Sequence, residues 1–186
     1  MPSRSLRPTS AMKPKTDPLP ASELIELLFF AYRDFISDPD TILGEIGFGR
    51  AHHRVLHFVD RKPGLTVAEL LDLLKITKQS LARVLKQLVD AGHVAQKPGP
   101  EDRRQRELYL TDTGKTLIRE LREPQSRRIV AALERSGCAE EEIAKFLLAM
   151  ATEDAKTQIA MLSAAQREAG PTRKPEGTGT AASEDE

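Results

Sequence analysis

Apolar residues crowd the stretch from Ala21 to Ile36, at Leu24, Ile25, Leu27, Leu28, Phe29, Phe30, Tyr32 and Phe35. They cover more than one helical stripe, so the segment reads as a helix covered on most sides, by a core or by a second subunit. Residues 37–49, rich in Asp, Pro and Gly, read as a connection. A second helix is expected from Arg50 to Arg61, ended by Lys62-Pro63-Gly64.

The next stretch is the most informative. Thr66-x-x-Glu69 is a capping-box pattern that opens a short helix. Its apolar positions, Val67, Leu70, Leu71 and Leu74, recur at i, i+3, i+4 and i+7. Thr77 can cap a second helix that repeats the stripe with Leu81, Val84, Leu85 and Leu88 and stops at Gly92. Two short helices with facing stripes and a tight turn make a helix-turn-helix unit. His93 to Lys97 then reads as a strand, Pro98-Gly99-Pro100-Glu101-Asp102 as a turn-rich tip, and Gln105 to Thr111 as a returning strand. A basic hairpin directly after a helix-turn-helix is a winged helix. The expected fold class is mainly α with a small β-hairpin wing.

Two long helical stretches close the pattern. One runs from Asp112 to about Arg135, with Pro124 expected to kink or interrupt it. The other runs from about Glu140 to Ala165, with Ile143, Phe146, Leu147, Met150, Ile159 and Leu162 as its apolar set. Both are short of core within one chain, so pairing with a second subunit is expected. The organisation is then a basic arm (1–19) without fixed structure, an N-terminal dimerisation helix and connection (20–49), a winged helix-turn-helix lobe (50–111), C-terminal dimerisation helices (112–167) and a tail (168–186) without fixed structure.

Charge changes this picture locally. The 186 residues carry 28 basic and 28 acidic side chains and no net charge. Between Lys75 and Arg106, however, Lys75, Lys78, Arg83, Lys86, Lys97, Arg103, Arg104 and Arg106 face only Asp90, Glu101 and Asp102, a local excess of +5. A basic field on one face of a neutral protein suits a polyanionic partner there. With six Phe, two Tyr and no Trp, the chain lacks aromatic platforms for unpaired bases, which favours duplex DNA over single strands. A single cysteine, Cys138, cannot form an intrachain disulfide. No run approaches the roughly 18 apolar residues of a membrane span. The chain is expected to be cytoplasmic, with no membrane partner.

On the second helix of the unit, Lys78, Gln79, Ser80, Arg83, Lys86 and Gln87 lie off the apolar stripe. Gln79, Ser80 and Arg83 are the candidates for base edges, and Lys78 and Lys86 for phosphates. Arg103 and Arg104, with Arg106 behind them, stand where a wing tip would enter a minor groove. His52, His53 and His57 raise the question of a metal, since His53 and His57 share a helix face. No further ligand is obviously paired with them, so they are expected to line a dimer interface or an effector pocket, and no cofactor or metal is expected. Cys138 precedes Ala139 and Ile143 in a hydrophobic-staple spacing and is read as a small buried apolar group, in preference to a redox sensor.

The run Asp102-Arg103-Arg104-Gln105-Arg106-Glu107-Leu108-Tyr109-Leu110-Thr111-Asp112-Thr113-Gly114 resembles the wing of the MarR family of regulators. That family's pattern is an Asp, an Arg two residues on, an apolar strand ending in Leu-Thr, and a Gly three residues later. Val89 to Val94 is similar to the family's exit from the recognition helix, and Gly49 to Phe58 resembles its PetP-type branch. The resemblance, over about residues 20–165, implies a homodimer with a recognition helix in the major groove and a wing in the adjacent minor groove. It also implies a near-palindromic operator, a salt bridge from Asp102 to a neighbouring arginine, and release of DNA on binding an unknown small-molecule effector. Two other classes remain at this point. One is a winged-helix module that binds proteins without DNA. The other is a metal-dependent regulator or enzyme built on the histidines, although no nucleophile-base motif or phosphate loop accompanies them.

Overall fold

The computed structural model of the chain describes residues 20–100 and 102–168. The expected basic arm, the tail beyond residue 168 and Glu101 at the wing tip lie outside the described residues. The elements are α1 (Ala21–Glu45), α2 (Arg50–Arg61), β1 (Leu65–Thr66), α3 (Val67–Leu74), α4 (Lys78–Asp90), β2 (Val94–Pro98), β3 (Arg106–Leu110), α5 (Asp112–Ser136), α6 (Glu140–Met150) and α7 (Glu153–Glu168). The chain divides into two compact units, Met1–Phe35 and Ile36–Glu186. In the first, Leu24, Ile25, Leu27, Leu28, Phe29, Phe30 and Tyr32 are exposed. The Arg33 guanidinium lies 4.8 Å from the centre of the Phe30 ring.

The second unit is organised around the two apolar stripes. Leu70 of α3 and Leu81 and Leu88 of α4 are fully buried with Val55, Leu56 and Val59 of α2, Leu65 of β1, Leu108 of β3 and Leu121 of α5. Leu73 of α3 is buried more deeply than the expected Leu71, which packs at the margin of the core. Thr66 opens α3 as expected: its hydroxyl accepts from the Glu69 N–H at 3.2 Å, and the Glu69 carboxylate accepts from the Thr66 N–H at 2.8 Å. Thr66→Ala should lower stability by about 1 kcal/mol, read by urea unfolding. An unchanged midpoint would mean that the cap contributes nothing.

Four expectations about the elements are corrected. α1 does not stop at Ile36; it continues through Pro39 to Glu45 and absorbs most of the expected connection. The extension presents Ile36, Pro39 and Leu43 on one face, and all three are buried. Burying two large aliphatic side chains, at about 1.5–3 kcal/mol each, offsets the roughly 3 kcal/mol cost of a proline inside a helix. Likewise α5 is not interrupted at Pro124. The carbonyl that Pro124 leaves without an N–H donor belongs to Glu120, an exposed residue where water can take the bond.

The last expected helix is two, α6 and α7. Thr152 separates them by accepting the Ala155 N–H on its hydroxyl at 3.2 Å, and Glu153 and Asp154 fill the first turn of α7. Ile143, Phe146, Leu147 and Met150 are all exposed on α6. Finally, the wing is a three-stranded antiparallel sheet of order β1-β3-β2, with Leu65 paired to Leu108 and Gln96 to the same residue from the other side. Pro98 ends the edge strand β2, where a missing N–H breaks no ladder. Cys138 is exposed, not the buried staple residue expected. The Glu142 carboxylate, accepting from the Ala139 N–H at 3.2 Å, supplies the start of α6 instead.

Candidate nucleic-acid interface

The turn between α3 and α4 depends on Lys75, which sits at φ 50°, the only positive φ of a non-glycine residue among those described. Arg54 of α2 reaches across and donates to the Leu74 carbonyl at 3.0 Å, satisfying the open end of α3. Thr77 then starts α4 by accepting from the Ser80 N–H at 3.1 Å. With Leu81, Val84, Leu85 and Leu88 turned inward, Gln79, Arg83 and Lys86 fall on the opposite face at i, i+4 and i+7. Lys78, Gln79, Ser80, Arg83, Lys86 and Gln87 are all exposed residues. Lys78, Gln79 and Arg83 have no side-chain partner among the described residues. Ser80 accepts from the Thr77 hydroxyl at 2.9 Å, and Lys86 pairs with Asp90 at 2.5 Å.

Gln87 is different. His52, the third residue of α2, accepts the Gly49 N–H on Nδ1 at 3.1 Å and meets the Gln87 side-chain oxygen with Nε2 at 3.0 Å. Its ring stacks on Phe48 at 4.4 Å, and Phe48 meets His93 edge-on at 5.7 Å. Sequence reasoning grouped His52 with His53 and His57; the structure separates it from them as a bonded, 8% exposed residue.

α4 ends in a Schellman arrangement. The Gly92 N–H bonds the Val89 carbonyl, the His93 N–H bonds the Leu88 carbonyl, and Gly92 takes φ 74°. The Gly92 carbonyl then accepts from the Thr111 and Thr113 hydroxyls at 2.6 and 2.7 Å, and the His93 carbonyl from the Thr111 N–H at 3.1 Å. Thr111 also caps α5 through the Gly114 N–H.

At the wing, Arg103, Arg104 and Arg106 are exposed. Asp102 does not hold a neighbouring guanidinium, as the resemblance implied; its carboxylate accepts the Arg104 backbone N–H at 2.8 Å. An Asp side chain reaches two residues along a turn to a backbone donor, which leaves the arginine head in solvent. Behind the tip, Lys97 lies 4.7 Å from the Tyr109 ring centre, and the Tyr109 hydroxyl donates to Glu107 at 2.7 Å.

His53 and His57 share a half-buried face of α2 near Arg122 of α5, which pairs with Asp60. Burial lowers the pKa of His53, helped by Arg122 and opposed by Asp40. For His57, burial and the charges of Arg122, His53 and Arg61 bring the pKa to about 4, against a weak opposing effect of Asp60. Among the described residues, no three His, Cys, Asp or Glu side chains come together as a metal site.

A match described as MarR family covers residues 46–105, the helix-turn-helix with strand β2 and the wing tip. The HTH-type transcriptional regulator PetP of Rhodobacter capsulatus is 52% identical over 113 residues, 61% of this chain and 68% of that protein. The chain belongs to the MarR family. A MarR transcriptional regulator from Methanosarcina mazei is a structural neighbour at 26% identity and a TM-score of 0.56, over 69% of this chain and 94% of that one. A mutant Escherichia coli MarR solved with operator DNA shares the fold at 23% identity and a TM-score of 0.51, over 68% of this chain and 91% of its own.

This MarR-family chain is therefore a DNA-binding transcriptional regulator of the winged-helix type, and the relative it matches supports the PetP-type resemblance of Gly49 to Phe58. No described helix is long and apolar enough to cross a membrane. The roles of Arg54, Gly114 and the His52–Gln87 pair escaped the sequence reading. For Gly114 the signal was present, as a Thr-x-x-Gly at a helix start; the other two depend on contacts between distant segments.

Proposed function

We propose that this regulator acts as a homodimer on a near-palindromic operator and releases or rearranges on it when a small molecule binds. The observation that carries the DNA docking is the row Gln79, Arg83 and Lys86 on α4, exposed on the face opposite its buried stripe, together with a wing that bears three exposed arginines. Arg83 reads a base edge, Lys86 holds a phosphate, and Arg103 or Arg104 enters the minor groove. Support for dimerisation comes from the exposed apolar faces of α1 and α6. Half-sites then lie about one helical turn, roughly 34 Å, apart. Support for a ligand response comes from an open hollow of about 470 Å³ lined by Ile46, His93, Thr113, Thr116, Leu117 and Glu120, at the exit of α4. His53 and His57 remain candidates for the effector site or the subunit contact.

The test is selection of bound sequences from randomised duplex DNA at about 0.15 M salt, a concentration that screens loose contacts. Recovery of a near-palindrome is expected; binding with no enriched sequence would contradict an operator-specific regulator. On the recovered duplex, Arg83→Ala should weaken binding about tenfold and relax preference at one base pair. Lys86→Ala should weaken all sequences alike and lower the salt slope by about one. If neither changes binding, this docking of α4 is wrong.

A further inference from the structure

The Gly49 N–H bond to Nδ1 of His52 fixes more than a helix start. A nitrogen that accepts an N–H carries no hydrogen, so the ring proton of the neutral imidazole is on Nε2. Nε2 faces the Gln87 amide at 3.0 Å, and a donor there requires the amide to present its oxygen. The ring cannot easily turn to release it, being 8% exposed, stacked on Phe48 and bonded at both nitrogens. The remaining half of the Gln87 amide is its NH₂, on an exposed flank of α4 beside the Gln79–Arg83–Lys86 row.

We propose that His52 is a positioning residue for DNA recognition, which fixes the Gln87 amide with its NH₂ toward the duplex. This role rests on the reading that α4 faces DNA. An unrestrained glutamine recognises adenine with its oxygen and its NH₂ together. His52 takes one of the two lone pairs of the Gln87 oxygen and so fixes the direction of the amide, which presents its NH₂ to the duplex. That NH₂ donates to an acceptor of the duplex, a phosphate oxygen or an acceptor atom on a base edge. His52 thereby shapes recognition without touching DNA, from a residue in the first turn of another helix.

The two nitrogens of His52 can be imitated separately. In His52→Asn the side-chain oxygen can still accept the Gly49 N–H, but the side chain is too short to reach Gln87. In His52→Gln the longer side chain brings an NH₂ to the place of Nε2 and loses the bond to Gly49. The full-length wild type, both single variants, Gln87→Ala and the double variant His52→Asn/Gln87→Ala are compared for Tm and for affinity to the duplex recovered by selection. Both His52 variants remove a buried ring stacked on Phe48 and should lower Tm, and His52→Asn should also bind about fivefold more weakly, the worth of one hydrogen bond. His52→Gln should keep the affinity despite its lower Tm, and the double variant should bind no more weakly than Gln87→Ala. Repeating the sequence selection with Gln87→Ala separates the acceptors: lost preference at one base pair identifies a base edge, and a uniform loss a phosphate.

Affinity that merely follows Tm across the set, or losses that add in the double variant, would overturn the positioning role while leaving the regulator reading intact. A wild-type chain that binds no duplex at all would overturn both.

Discussion

Replacing Gly114 with alanine is expected to lower stability by at least about 3 kcal/mol, although the position is helical. In an exposed helix the same change would stabilise by up to about 1 kcal/mol. The sign reverses because a Cβ on Gly114 would lie 2.1 Å from the His93 carbonyl oxygen and 3.0 Å from its carbonyl carbon. These are backbone atoms, and no rotamer change can clear them. His93 O is also held by the Thr111 N–H, and the neighbouring Gly92 carbonyl by two threonine hydroxyls. Backing α5 away would break this group of bonds together. Gly44, at the exposed end of α1, is the control: a Cβ added there would meet nothing within 4 Å, so Gly44→Ala should be neutral or mildly stabilising. Urea unfolding of both variants decides the matter, and a Gly114→Ala protein as stable as wild type would refute the close approach. Loss of DNA binding should accompany the loss of stability, since the same bonds hold the exit of α4.

Acidification from pH 7 to pH 5 should destabilise the protein, mainly through His57. In the unfolded chain this imidazole takes its proton near pH 6.5; in the folded protein, burial and the neighbouring positive charges hold the pKa at about 4. Between those values the unfolded state binds more protons, so stability is lost as the pH falls through the window. The loss can reach about 3 kcal/mol for His57 near pH 4. His53, lowered for the same reasons, acts in the same direction.

Glu69 contributes at lower pH. Its burial alone would raise the carboxyl, but bonds from Lys62 and Thr66 outweigh that and hold it below the ordinary range. Its stabilisation is present above the unfolded carboxylate pKa and is lost as pH falls through the depressed folded value, leaving the slope above pH 5 to the histidines. His57→Gln should flatten that slope in urea titrations at pH 7.5, 6 and 5. A variant with the wild-type slope would show that His57 is not its source.

What the sequence made legible was whatever depends on neighbours a few residues apart. The stripes of α3 and α4, the Thr66 box, the Thr77 cap and the stop at Gly92 are all of this kind, and all stand in the structure except that Leu73 is buried more deeply than Leu71 on α3. Pro39 and Pro124 misled for different reasons: the cost of Pro39 is overridden by the tertiary burial of Ile36 and Leu43, and that of Pro124 is reduced because the exposed Glu120 can give its carbonyl to water. Thr152 was overlooked although the apolar set lapses between Met150 and Ile159, where a helix break could have been read. β1 is two residues long and has no periodicity to detect; only its pairing with Leu108 and Glu107 defines it. At the interface, exposure of Arg83 and the wing arginines follows from the pattern around them. The bonds that commit Asp102 to a backbone N–H and Gln87 to His52 do not, because they depend on how a turn closes and on which helix lies alongside.

The junction at Thr111 also has a mechanical side. The exit of α4 and the start of α5 share three hydrogen bonds within three residues, while α5 itself is 25 residues long. At 1.5 Å per residue that is an arm of about 37 Å, with one backbone bond missing at Pro124, for which a 5° tilt at one end means about 3 Å of travel at the other. The fulcrum lies at Thr111 and the load is the helix-turn-helix. A displacement of ångströms near Ser136 is thus geared down to a rotation of a few degrees at α4, and the two helices cannot turn independently while those bonds hold.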